Sequence, residues 1–204
     1  MEDRIEFPSD DLMLEGLFND CGGNRGAVIT HPHPLYGGDM YNYVVEAIAA
    51  EFSAAGISTL RFNFRGVGES QGGYSDGAGE QRDVAGAFAL LAEKGKHRMD
   101  LAGYSFGAWV VAQFALNPDR PKPFSRLMLV SPPAGMMSGL STSAIPQLHL
   151  IVTGSEDDIA PPDGIKPHIG IWNPKARLEI IDGADHFYAG HIDRLRSILA
   201  DHMA

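Results

Sequence analysis

Met99-Asp100-Leu101-Ala102-Gly103-Tyr104-Ser105-Phe106-Gly107-Ala108-Trp109-Val110-Val111-Ala112-Gln113-Phe114-Ala115-Leu116 is the stretch that decides how this chain is read. Met99 to Gly103 reads as a short strand. Phe106 to Leu116 reads as an apolar helix halted by Asn117-Pro118. Between them, Gly103-Tyr104-Ser105-Phe106-Gly107 puts a serine on a tight strand-to-helix turn. The glycines two residues to either side lack side chains, which lets strand and helix approach closely. On such a turn the Ser105 hydroxyl stands at a helix N-terminus. The Phe106 amide then points to where negative charge gathers on an attacked carbonyl, helped by the positive helix end. A bare G-x-S-x-G arises often by chance as a glycine-rich turn. The flanking strand and helix are the context that makes Ser105 a candidate nucleophile.

Working outward, the hydrophobic period alternates between strand and helix. Ala27 to Thr30, Ile57 to Phe64, Arg126 to Val130, Leu148 to Thr153 and Leu178 to Ile181 read as strands. Met40 to Ala55 reads as a helix with Tyr41, Val44, Val45, Ile48 and Phe52 on one face, Asp39 as N-cap and Gly56 just past its end. Gln81 to Glu93 and His191 to His202 are two more helices. Arg4 to Phe7 and Leu12 to Phe18 pair as antiparallel strands. Alternating β and α with continuous apolar strands predicts an α/β fold, a mostly parallel sheet with helices on both faces. There is no repeat or linker, and residues 1–204 read as one domain. Ala134 to Pro146 is the least patterned segment, too short for a lid domain.

Composition narrows the function classes. Apolar residues make up 44% and charged residues 21%, ordinary globular values that exclude a disordered chain. The formal charge of −10 repels phosphate backbones and anionic lipid heads, so neither nucleic acid nor a membrane surface is expected as a partner. Leu101 to Leu116 is too short to span a bilayer. The acidic start MEDRIEFPSDD has no apolar signal region, and the single Cys21 allows neither an internal disulfide nor a thiolate zinc cage. The expectation is a cytoplasmic protein with a free thiol.

In open parallel sheets, ligands bind beyond the carboxyl ends of the strands. His186 lies just past the last strand in Gly183-Ala184-Asp185-His186-Phe187 and is the candidate base for Ser105. A histidine base needs an acceptor for its other nitrogen. Asp157 follows the Leu148 to Thr153 strand and is favoured, with Asp158 in reserve and Glu156 also adjacent. A second oxyanion donor is expected from the loop after Ala27 to Thr30. Pro32 and Pro34 have no amide hydrogen, which leaves His33 and Leu35, and the reading leans to Leu35. His33, Tyr36 and Tyr104 are candidate substrate-binding residues, and Phe187 and Tyr188 also flank the rim; aromatic core packing is an equal reading for each aromatic. His31 and His33 alternate as metal ligands can, but no further ligand spacing supports a metal, and no cofactor is expected. Arg65-Gly66-Val67-Gly68 lacks the third glycine and the Lys-Ser/Thr of nucleotide-binding loops and reads as a structural turn.

Four segments together are similar to one family: His31-Pro32-His33-Pro34-Leu35-Tyr36-Gly37-Gly38; Arg61-Phe62-Asn63-Phe64-Arg65-Gly66-Val67-Gly68 with Ser70; Gly103-Tyr104-Ser105-Phe106-Gly107-Ala108; and Gly183-Ala184-Asp185-His186-Phe187. The chain resembles a serine α/β-hydrolase, most closely the small, lidless, dienelactone-hydrolase-like bacterial predicted hydrolases. The resemblance implies an eight-stranded, mostly parallel sheet, ester-type substrates, and Ser105, Asp157 and His186 as nucleophile, acid and base. Dienelactone hydrolases proper use a cysteine nucleophile, whereas position 105 is serine and Cys21 lies far upstream. The expected function is a serine hydrolase cleaving a small ester-type substrate through an acyl-enzyme. A thioesterase or acyltransferase with the same three residues, and a non-catalytic binding protein on this fold, are the alternatives.

Overall fold

The computed structural model describes residues 2–140 and 142–203. Its strands are β1 Glu2–Ser9, β2 Leu12–Asn19, β3 Arg25–Thr30, β4 Ser58–Phe62, β5 Arg98–Tyr104, β6 Phe124–Val130, β7 Leu148–Gly154 and β8 Arg177–Ile181. They form one eight-stranded sheet in the order β1-β2-β4-β3-β5-β6-β7-β8. β1 and β2 form an antiparallel hairpin, and β2 runs antiparallel to β4. Every pairing from β4 through β8 is parallel. The expected α/β sheet with eight strands is therefore the one the chain forms.

The helices are α1 Tyr43–Ala54, α2 Glu80–Glu93, α3 Phe106–Leu116, α4 Ala134–Met137, α5 Pro162–Trp172 and α6 Ile192–Asp201. Successive strand residues point to opposite faces, so each central strand feeds two cores. Ile29, Ala102 and Met128 pack with Val44, Ile48 and Phe52 of α1 and Leu195 and Leu199 of α6. Val28, Leu101 and Leu127 face the other way, against Val84 and Leu91 of α2, Val111 and Phe114 of α3, and Trp172 of α5. Burying one such Leu, Ile or Phe side chain contributes about 1.5–3 kcal/mol.

One expected helix shifts, and one helix has no counterpart in the sequence reading. Helix α1 begins at Tyr43 rather than Met40, because the Asn42 side chain, not Asp39, caps it by accepting from the Val44 amide at 3.0 Å. Asp39 instead closes a turn by accepting from the Tyr41 amide at 2.8 Å, and Tyr41 is exposed rather than inward. Helix α5 is not announced by its sequence, since Gly164, Pro167 and Gly170 are all poor helix residues. Pro162 at its first turn suits a helix start, and buried Ile165 and Trp172 anchor it to the core.

Strand order places the site. From β3 the chain crosses through α1 to β4 on one side; from β4 it returns through α2 to β5 on the other side of β3. The loops leaving β3 and β5 therefore diverge, opening a crevice between them at the carboxyl end of the sheet. His33 leaves one strand there and Ser105 the other. Arg65 sits under the adjoining glycine-rich loop with its guanidinium bound to buried Asp83 at 2.7 Å, so its charge serves the fold, as expected for a structural turn.

Candidate active site

Ser105 has φ 54° and ψ −119°, a left-handed conformation that L-residues with side chains adopt at a cost of about 1–3 kcal/mol. Its neighbours impose it: the Ser105 amide donates to the Val130 carbonyl at 2.9 Å and its carbonyl accepts from the Trp109 amide at 3.1 Å. The flanking glycines let the elements close in. A Cβ on Gly107 would lie 2.6 Å from the His31 carbonyl oxygen and 2.6 Å from Thr30 Oγ1. We expect Gly107→Ala to part α3 from β3, at a cost of about 3 kcal/mol and a Tm lowered by roughly 6–12 °C in thermal denaturation.

The structure brings Ser105, His186 and Asp157 together. His186 Nε2 lies 2.9 Å from Ser105 Oγ, and His186 Nδ1 lies 2.9 Å and 3.0 Å from the two Asp157 oxygens. All three side chains are buried. An ionised carboxylate has only acceptors, so Nδ1 carries the hydrogen and Nε2 accepts from the serine hydroxyl. Burial by itself would push the Asp157 carboxyl up. Hydrogen bonds from His186, the Ala160 amide and the Ser131 side chain outweigh it and hold Asp157 below the usual carboxylate range. Asp157 Oδ1 also accepts from the Ile159 and Ala160 amides, at 3.0 Å and 2.7 Å. Asp158 and Glu156 are exposed and away from His186, so the turn itself selects the middle acid of the three.

Residues outside that group fix the histidine segment. Tyr104 is buried and its hydroxyl donates to the His186 carbonyl at 2.9 Å. It lines the crevice as a candidate substrate-binding residue would, with its hydroxyl engaged by the histidine segment. Tyr188 is fully buried, with its hydroxyl 2.7 Å from Ser131 Oγ. Tyr43 OH donates to the Phe187 carbonyl, tying α1 to the same segment. Ser131 and Tyr43 carry no motif of their own, and only contacts between distant strand ends reveal them.

The loop after β3 differs from the expectation at Leu35. The Leu35 amide donates to His33 Nδ1 at 3.2 Å, closing a 3₁₀ turn over Pro34–Tyr36, so it is engaged. The His33 and Phe106 amides have no hydrogen-bond partner among the described residues. The His33 ring lies among those of Tyr36, Tyr74 and Phe106, with centroids 4.8, 5.2 and 4.7 Å away.

His31 is not available to a metal. Its Nε2 accepts from the Phe64 amide at 3.0 Å and its Nδ1 donates to the Pro32 carbonyl at 2.7 Å. Full burial drives its pKa down to about 4 from 6.5. The unfolded chain takes up a proton at His31 near pH 6.5, while the folded chain resists until about pH 4. Stability from this residue is thus whole above pH 6.5 and lost as pH falls through 4, on the order of 3 kcal/mol in total. Two-dimensional NMR of the folded protein is expected to show a neutral His31 ring at pH 5, with denaturant midpoints falling over the same interval.

Two clefts meet at Ser105. One, of about 370 Å³, is lined by His33, Tyr36, Tyr104, His186 and Phe187. The other, of about 460 Å³, is lined by Phe106, Pro133, Met136 and Asp158. His33, Tyr36, Ser105 and Ile159 border both. Tyr36, Phe187 and Ile159 are exposed at the mouth.

Comparison with known proteins follows the same lines. An α/β serine hydrolase homologue from Coxiella burnetii superposes with a TM-score of 0.88 at 31% identity, covering 99% of this chain and 97% of that one. XC6422 from Xanthomonas campestris, described as an α/β serine hydrolase without lid, gives a TM-score of 0.85 at 26% identity over 98% and 93% of the two chains. The fold is that of the lidless α/β serine hydrolases. Residues 36–154 match the model of the Hydrolase_4 family, serine aminopeptidase S33, and the chain belongs to that family. The uncharacterized protein RP471 of Rickettsia prowazekii (strain Madrid E) is 32% identical over 214 residues, 98% of this chain and 88% of its own length. Among the described residues, no helix is long and apolar enough to cross a membrane.

Proposed function

We propose that this hydrolase is a carboxylic ester hydrolase acting through a Ser105 acyl-enzyme, with residues 1–204 working as one domain. The observation that carries the reading is the unbroken hydrogen-bonded chain from Ser105 Oγ through His186 to Asp157. Ser105 Oγ attacks the ester carbonyl carbon as His186 Nε2 takes its proton. The oxyanion is bound by the amides of Phe106 and His33; His33 replaces Leu35 in this role because its amide is the one left unpaired. As the intermediate collapses, the carbonyl–oxygen bond breaks and His186 returns the proton to the departing alcohol. Water then enters, gives a proton to His186 and attacks the acyl-enzyme. The second tetrahedral intermediate collapses with cleavage of the bond to Ser105 Oγ, which takes the proton back from His186 as the acid leaves. Asp157 holds the imidazole in the required tautomer and stabilises its charged form.

The strained serine turn and the positive end of α3 support preorganisation of this site. The test is a fluorophosphonate probe followed by peptide mapping, with a panel of esters, thioesters, lactones and amides run on the same preparation. Labelling at Ser105 together with turnover of short-chain esters is expected. A folded protein that takes up no probe and turns over no panel member refutes the reading and leaves a binding protein.

A further inference from the structure

The clefts at Ser105 have a charge bias. Neither is lined by a lysine or an arginine. Asp158 lines the second, is exposed, and makes no hydrogen bond or ion pair among the described residues. Behind the walls stand further carboxylates. Asp76 accepts from Tyr74 OH at 3.0 Å, and its charge and that of Glu80 act on His33. Asp185, which caps the Phe187 amide at 3.1 Å, acts on Tyr43 and Tyr104. Two buried cations, Arg61 and Arg65, are already neutralised, Arg61 by Glu2 and Glu46, Arg65 by Asp83 and Asp10. A basic cluster of Arg25, Arg98 and Arg126 does exist, but at the opposite end of the strands. The chain as a whole carries −10.

A cleft lined by one sign of charge, with apolar walls, concentrates that sign's counter-charge and repels its like. We infer that this site selects esters that are cationic or uncharged and rejects anionic ones, with Asp158 as the residue that sets the preference. The apolar body of the substrate lies against Tyr36, Ile159 and Phe187, and any positive group lies toward Asp158. Polyanionic thioesters such as acyl-CoA are excluded by the same field, which separates an esterase from a CoA thioesterase using the same three residues. The inference rests on the hydrolase reading and adds the substrate's charge to it.

The experiment compares kcat/KM for three p-nitrophenyl esters of matched chain length, ending in a methyl, a carboxylate and a trimethylammonium group. Acyl-CoA is set beside the same acyl group on uncharged N-acetylcysteamine. At low ionic strength the carboxylate ester is expected about tenfold or more below the methyl ester, the ammonium ester at or above it, and acyl-CoA below its uncharged partner. Raising ionic strength to about 0.5 M narrows the gaps. Asp158→Lys brings the carboxylate ester to within about threefold of the methyl ester; the salt dependence of the unaltered enzyme tests the same point if that variant fails to fold. A carboxylate ester cleaved as fast as its methyl counterpart, with no response to salt, overturns the charge preference alone. Loss of all turnover together with no probe labelling overturns the hydrolase reading and this inference with it.

Discussion

Ser105→Ala is expected to abolish covalent capture by a fluorophosphonate and to lower kcat for a short-chain aryl ester by about 10³ to 10⁶. The substitution removes one oxygen and nothing else that supports the fold. The Ser105 amide and carbonyl, which hold the turn through Val130 and Trp109, are untouched. Alanine must adopt the same φ of 54° that serine does, so the backbone cost is carried over rather than added. The Tm is therefore expected to stay within a few degrees, and the loss of rate reads chemistry rather than unfolding. What survives, an unacylated site with two free amides and a histidine, is expected to retain ground-state binding of substrate. Labelling or turnover at the unaltered level in this variant removes Ser105 from the reaction.

Asp157→Asn carries the second largest effect, a fall in kcat on the order of 10⁴ near neutral pH. The asparagine oxygen still accepts from the Ile159 and Ala160 amides, so the turn after β7 is kept. Its NH₂ group faces His186 Nδ1, where a carboxylate oxygen stood. A donor there favours the tautomer with hydrogen on Nε2, and that nitrogen can no longer accept from Ser105 Oγ. Glu156→Gln serves as the comparison, because Glu156 is exposed and its amide, not its side chain, bonds to Ala184. It is expected to keep rates within a few-fold. Equal rates for Asp157→Asn and the unaltered protein, measured with the same ester, remove Asp157 from the mechanism.

The serine turn could be read from sequence because its requirements are local. Gly103 and Gly107 are needed within a few residues of Ser105, and the strand and helix signals are adjacent. His186 could be placed on the rim because it follows the last strand. Other features depend on contacts that no local pattern encodes. Choosing Asp157 among three consecutive acids takes the course of the turn, since it is the two amides at Ile159 and Ala160 that draw that carboxylate inward. Leu35 and His33 differ only in which amide the His33 ring occupies, a matter of one side-chain rotation. Tyr104 carries no polar-residue signal because it also fills the core, and its bond to the His186 carbonyl spans 82 residues. Helix α5 escapes the propensity rules because tertiary burial of Ile165 and Trp172 overrides Gly164, Pro167 and Gly170.

Tyr36, Phe187 and Ile159 stand in solvent around the mouth, and among the described residues no inserted segment roofs them. On the proposed reading, substrate is expected to reach Ser105 by diffusion, without an opening motion to wait for. Turnover by such a site is expected to need no lipid–water boundary to switch it on. Its velocity follows dissolved monomer concentration smoothly, with no jump where micelles form. On the proposed acyl-enzyme reading, bulk water is expected to have the same path to the acyl group, and hydrolysis is expected to outcompete capture by dilute alcohols.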